Sequence, residues 1–159
     1  MAVDYFLKID GIDGESTDSK HKGEIELASF GWGVSQSGQP GRGGGRGAGK
    51  AQFQDFHFVA KTTKASPKLF LASASGQHVK SALLTCRRAG RDRLEFIKYK
   101  LSEVLVSSFV SGGSTPEEPF DQVSLNFAKI EIEFVPQGKA GKAEAPVKAA
   151  WDLKSNKKI

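Results

Sequence analysis

The stretch Gly44-Gly45-Arg46-Gly47-Ala48-Gly49-Lys50 satisfies the pattern G-x-x-x-x-G-K. That spacing lets a glycine-rich loop cradle phosphates while its lysine reaches them. Two further requirements are not met. Ala51 follows the lysine where a Ser or Thr hydroxyl would bind Mg²⁺. Residues 52–60 then alternate as a strand does, whereas a phosphate loop must run into a helix whose N-terminal amides hold the anion. The same stretch contains Gly41-Arg42-Gly43 and Arg46-Gly47, which imitate an Arg-Gly tract of the RNA-binding kind. Tracts of that kind repeat many times and interleave aromatic residues, and this one has two arginines and no aromatic. Residues 37–50 therefore read as a long glycine-rich contact loop, with Arg42, Gly43, Gly44, Gly45, Arg46, Gly47 and Lys50 as its candidate contact residues.

The remaining reactive groups do not assemble into a site by spacing. His21, His57 and His78 are far apart and fit no metal-ligand pattern. Cys86 is the only cysteine, so there is no internal disulfide and no Cys-rich metal site. It ends the apolar run Ala82-Leu83-Leu84-Thr85-Cys86 and reads as a buried thiol. Folding without disulfides suits a reducing compartment. Glu117-Glu118, beside Pro119, reads as a solvated acidic loop rather than a catalytic pair. No catalytic residue, metal ligand or cofactor follows from these groups, and an enzyme is not the expected reading.

The elements that must position the loop come next. A chain of 159 residues is one domain, here 1–159. Hydrophobic residues make up 38% of it and include eleven Phe and two Trp, a composition that favours sheet. Val3, Tyr5, Leu7 and Ile9 alternate as one strand face. Residues 24–36 read as a second strand in which Phe30 and Trp32 share a face, while Gly31 and Gly33 leave the other nearly bare. A glycine inside a strand points to something approaching closely there. Phe56 and Phe58 share a face, with His57 opposite. Ser66-Pro67 predicts a helix start with Ser66 as N-cap, and Gly76 predicts its end, giving one short helix over 67–75. Residues 80–88, 92–101 and 102–110 read as three further strands. Residues 123–135 read as a long one whose buried face switches near Ala128-Lys129, as in strands that turn a barrel corner. Residues 138–150 read as a flexible basic segment, after which Trp151 and Leu153 dock again. Seven or eight strands and one helix predict an all-β antiparallel barrel or tight sandwich.

The formal charge is +5. It gathers in three places (42–50, 87–93 and 139–158) instead of one groove, which argues against a nucleic-acid footprint and for solubility and subunit contacts. A nucleic-acid-binding barrel is the competing reading; it would need salt-dependent affinity and exposed stacking aromatics. No basic region precedes an apolar run at the N-terminus, and no stretch is long and apolar enough to cross a membrane. Export, if it occurs, is expected to proceed without a cleavable signal peptide.

Several short blocks carry a family likeness. These are Met1-Ala2-Val3-Asp4-Tyr5-Phe6-Leu7-Lys8-Ile9 with Gly14-Glu15-Ser16; Ser35-Gln36-Ser37-Gly38; Gly49-Lys50; Ser75-Gly76; Glu103-Val104-Leu105-Val106-Ser107-Ser108; and Val123-Ser124-Leu125-Asn126-Phe127-Ala128. In this order, along essentially the whole chain, they resemble the hemolysin-coregulated (Hcp) family of type VI secretion tube proteins. The resemblance implies a β-barrel of two sheets with a helix at its side. It implies six subunits in a ring with an open lumen, and rings stacked head to tail into a tube. It also implies a contractile sheath, a spike of the valine-glycine repeat (VgrG) type, and effector proteins held in the lumen. The protein would be made in the bacterial cytoplasm and then secreted through the type VI apparatus. The glycine loop would be the ring-stacking element, and Glu117 and Glu118 its acidic counterpart. In the family the residue between the two strand aromatics faces the lumen and is tied to cargo. Here it is Gly31, flanked by Ser29 and Gly33 as candidate lumen residues, and it would leave a smooth wall.

Overall fold

The computed structural model describes residues 2–36, 49–90, 93–139 and 141–159. Among them are eleven strands and one helix. The strands are β1 (Val3–Ile9), β2 (Ile25–Glu26), β3 (Ser29–Gly31), β4 (Val34–Ser35), β5 (Gln52–Phe53), β6 (Phe56–Lys61), β7 (His78–Arg88), β8 (Glu95–Gly112), β9 (Phe120–Phe134), β10 (Val147–Asp152) and β11 (Lys157–Lys158). Every pairing is antiparallel. The described residues are thus mostly β with a single short helix, as the sequence predicts.

The ladder runs β2-β1-β7-β8-β9, and β9 is shared. Its first half pairs with β6, which pairs with β3, and its second half pairs with β10. Between β2 and β3 the chain passes from one edge of the nine-stranded sheet to the other. Leu27 donates its amide to Tyr5 O (3.0 Å) and Ala28 donates to Val59 O (2.8 Å). This crossing is why the expected strand 24–36 is three short pieces. Alternation alone does not show that β2 and β3 pair at opposite edges of one sheet and β4 in another.

The expected strands 92–101 and 102–110 are one strand, β8, with a change of buried face in its middle. Leu101 is buried on one phase, and Val104 and Val106 on the other. Glu103, at φ +52, makes the switch. On β9 the face changes at the same level, between Phe127 and Ile130. The pairing register is the same on both sides, Ser102 with Lys129 and Val104 with Phe127. The two strands therefore bend together, and each contributes to both sheets. Of the segment 138–150, expected to be flexible, Val147 to Ala150 are strand and pair with Phe134 to Glu131. Beyond them Leu153 donates its amide to Ala128 O (2.8 Å), at the bend.

The helix, α1 (Ala65–Ser75), begins two residues before the expected start, with Lys64 at the cap position and no side-chain cap. Pro67 is therefore the third helical residue, still in the first turn where no amide partner is lost. Ser66 is not the N-cap. Its hydroxyl accepts from the Thr63 amide (3.0 Å) and donates to buried Asp121, which also accepts from Thr62 Oγ1 (3.0 Å). This polar knot pins the helix to the start of β9. The helix ends at Gly76, whose φ of +67 is left-handed.

The core between the sheets is built on Leu7, Ile9, Phe56, Phe58, Leu84, Val104, Val123 and Leu125, all at most 2% exposed, with Leu69 of α1 covering one side. Each such side chain contributes about 1.5–3 kcal/mol on burial. Cys86 lies among them, as expected of a buried thiol. Arg87 is not part of a surface charge cluster. It is 5% exposed, and its guanidinium holds Asp18 (3.0 and 2.8 Å) and Asp4 (3.2 Å).

Candidate functional site

Asp55 lies just before β6, Ser124 and Asn126 alternate along β9, and His57 pairs directly with Ser124. Asp55 accepts from Ser107 Oγ (2.6 Å) on β8 and from Asn126 Nδ2 (3.0 Å). Ser29 and Gly31 sit on neighbouring β3, and Gly31 pairs with His57. The result is a strip of short hydroxyl and amide groups with one carboxylate and one imidazole. Its opposite face is the aromatic core. There Phe30 packs on Tyr5 (5.1 Å between centroids), Phe56 (5.8 Å) and Tyr99 (5.8 Å), and Trp32 packs on Tyr99 (5.7 Å).

The bare wall expected at Gly31 is occupied. A Cβ there would stand 2.6 Å from His57 Nε2, so the imidazole uses the space that glycine leaves. The close approach signalled by a glycine inside a strand is this ring. At Gly33 a Cβ would meet Gln54 Oε1 at 3.2 Å. His57 belongs with Ser29, Gly31 and Gly33 as a candidate of this face. The sequence signal was its period-two position opposite Phe56 and Phe58.

The two ends of the β6–β9 ladder differ. β6 and β9 pair from Phe56–Leu125 to Lys61–Phe120, so the β8–β9 turn closes one end. Residues preceding Phe56 lead the other way, and the β4–β5 hairpin lies there. At the turn, Glu117 and Glu118 are exposed. Glu118 lies 3.7 Å from Lys61, with both side chains about three-quarters exposed, a pair that contributes little. At the opposite end, Lys50 is exposed and the Ala51 amide donates to Asn156 Oδ1 (3.2 Å), tying the loop base to the C-terminal turn. Arg42, Gly43, Gly44, Gly45, Arg46 and Gly47 lie outside the described residues. Beside this loop base, an apolar groove of about 380 Å³ runs between the hairpin and β9–β10, lined by Trp32, Val34, Phe53, Ile130, Ile132 and Trp151.

Burial pushes the Cys86 thiol up to about 12. Among the described residues, no group of three or more His, Cys, Asp or Glu could hold a metal ion. Likewise among them, no helix is long and apolar enough to cross a membrane.

Comparison with known proteins agrees with this geometry. The family described as "Type VI secretion system effector, Hcp" matches residues 6–134. The protein hcp1 of Pseudomonas aeruginosa is 43% identical over 159 positions, covering 98% of each chain. Among solved structures, Hcp1 from Salmonella typhimurium is 37% identical, with a TM-score of 0.84 over the whole of both chains. A structure described as a type six secretion system protein is 33% identical, with a TM-score of 0.93 over 99% of this chain and 100% of its own. On this matched length, identity and fold, the chain is a member of the Hcp family of type VI secretion system proteins.

Proposed function

We propose that the protein is a non-enzymatic building block of the type VI inner tube. Six copies close into a ring around an open lumen, and the rings stack head to tail. The observation that carries this reading is the polarity of the barrel. Exposed Lys50, which ends the basic glycine stretch of the sequence, lies towards one end, and the acidic Glu117-Glu118 turn closes the other. A surface that differs at its two ends forms heterologous contacts, which close into rings or propagate as stacks according to the rotation.

In this reading Arg42, Arg46 and Lys50 meet Glu117 and Glu118 of the next ring. The strip Ser29, Gly31, His57, Ser124 and Asn126 faces the lumen. Short polar side chains suit a hydrated channel wall that lets effector proteins be held and then released. The partners are further copies of the chain, a spike of the VgrG type, the contractile sheath and effectors; nucleic acid is not among them. The protein is made in the bacterial cytoplasm and leaves through the secretion apparatus.

Negative-stain electron microscopy of the purified protein, with its mass in solution, tests the assembly. Hollow six-fold rings, some stacked, are the expected result. A monodisperse monomer at high concentration would overturn the reading.

A further inference from the structure

His21, in the loop between β1 and β2, is 7% exposed and has a carboxylate at each ring nitrogen. Nδ1 lies 2.8 Å from Glu24 Oε2 and Nε2 lies 2.7 Å from Glu95 Oε1 at the start of β8. The ring stacks on Phe6 of β1, with centroids 4.4 Å apart and planes 7° apart. The Arg87 guanidinium of β7 lies over the same phenyl ring at 4.8 Å. The charged groups around the imidazole are thus Asp4 on β1, Asp18 and Glu24 in the loop, Arg87 on β7, and Glu95 and Lys98 on β8. Lys98 Nζ is 3.5 Å from the second oxygen of Glu95. Four carboxylates face two fixed cations.

An ionised carboxylate only accepts hydrogen bonds, and a neutral imidazole donates from one nitrogen and accepts at the other. A neutral His21 would therefore set a lone pair against one of its two carboxylates inside a buried site, where an unmatched polar contact is costly. The imidazolium donates to both.

We infer that His21 is a protonation-dependent latch. As imidazolium it bridges Glu24 and Glu95 and clamps the loop of residues 13–24 onto the start of β8; on losing its proton it releases one side. The loop is already closed on itself, Gly14 donating to Gly23 O (2.8 Å) and Gly23 to Ser16 O (2.8 Å). Asp18 ties this closed unit to Arg87 of β7, and the bridge to Glu95 fastens it separately to the start of β8. The direction follows from the charge: the clamp is complete with the proton in place and weakens when it is lost. The device belongs to a single subunit and does not depend on the tube reading.

Two measurements on the full chain test it. Nitrogen-15 spectra of the His21 ring at mildly acidic pH are expected to show protons on both nitrogens. Amide exchange at Gly14, Ser16 and Gly23, corrected for intrinsic chemistry, is expected to speed up about tenfold for each pH unit through the transition. Glu95→Gln places a carboxamide that can accept from the charged ring or donate to the neutral one, so its exchange should be flat with pH. One bare ring nitrogen at mildly acidic pH would overturn the latch. So would wild-type exchange as flat as that of the variant. If the variant does not fold, the ring spectrum of the wild type still decides.

Discussion

Gly31 and His57 face each other across β3 and β6 so closely that any side chain at residue 31 would displace the imidazole, since a Cβ there would stand 2.6 Å from Nε2. The conflicting atoms are the far end of a side chain that can rotate. Gly31→Ala is therefore expected to move the ring at a cost of about 1 kcal/mol or less, and Gly31→Ala with His57→Ala to recover it. A double-mutant cycle in urea together with the His57 ring resonances checks this. Additive costs and unmoved resonances would mean that the two residues do not compete for space. It follows that a large residue such as Arg at position 31 reports on His57 as much as on any cargo, and His57→Ala is the cleaner probe of the proposed lumen wall.

Reversing Arg42, Arg46 and Lys50 to Glu is expected to leave single rings intact and abolish stacks in electron micrographs and light scattering. Changing Glu117 and Glu118 to Lys in the same chain should restore stacking if those ends meet. Stacks that survive the first set of changes would remove the glycine loop from the contact.

The Cys86 thiol, held near 12 against an ordinary 9.0, has on the order of a thousandfold less thiolate than a free cysteine at the same pH. A thiol reagent at pH 8 should leave the native protein unlabelled and modify one site after denaturation. Rapid native labelling would show that the β1–β7 ladder opens locally.

The Arg87 guanidinium holds the Asp18 carboxyl at about 2, below its ordinary 3.8. Because the folded value is the lower one, the unfolded chain takes up the proton first as pH falls. The stabilisation is complete above about 4 and is lost on the way down through about 2. Urea midpoints of the wild type and of Arg87→Met should differ most near pH 5 and converge towards pH 2. A constant difference over that range would mean that Asp18 does not contribute through its charge.

Phe56 is fully buried beneath Phe30 and beside Phe58. Phe56→Ala is expected to lose about 3–5 kcal/mol, read as a lower urea midpoint with unchanged slope. A loss under about 1 kcal/mol would mean that the sheets close over the cavity.

The sequence made the strands legible wherever one face is buried throughout, as at Phe56 and Phe58, and it located the corner near Ala128. It does not show that Leu27 and Ala28 cross between the two edges of the sheet. That crossing is fixed by carbonyls of Tyr5 and Val59, which are distant in the chain. The helix start was misplaced because Ser66 looks like a cap, and only the tertiary partner Asp121 reveals where its hydroxyl goes. Arg87 looks like surface charge in the sequence for a similar reason, since its burial depends on Asp18 folding over it from a loop. Of the candidate site, the glycine strand was visible as an anomaly, while the imidazole that explains it required the β3–β6 register.

β8 and β9 run side by side from Ile97–Phe134 at one end to Gly112–Phe120 at the other, bending together at Glu103 and Ala128 and shifting register once, between Val106 and Ser108. A force applied between the two ends therefore loads their cross-strand hydrogen bonds in shear, many at once, instead of peeling them singly. The protein should be stiffest along the direction of these two strands and yield most easily to forces across it.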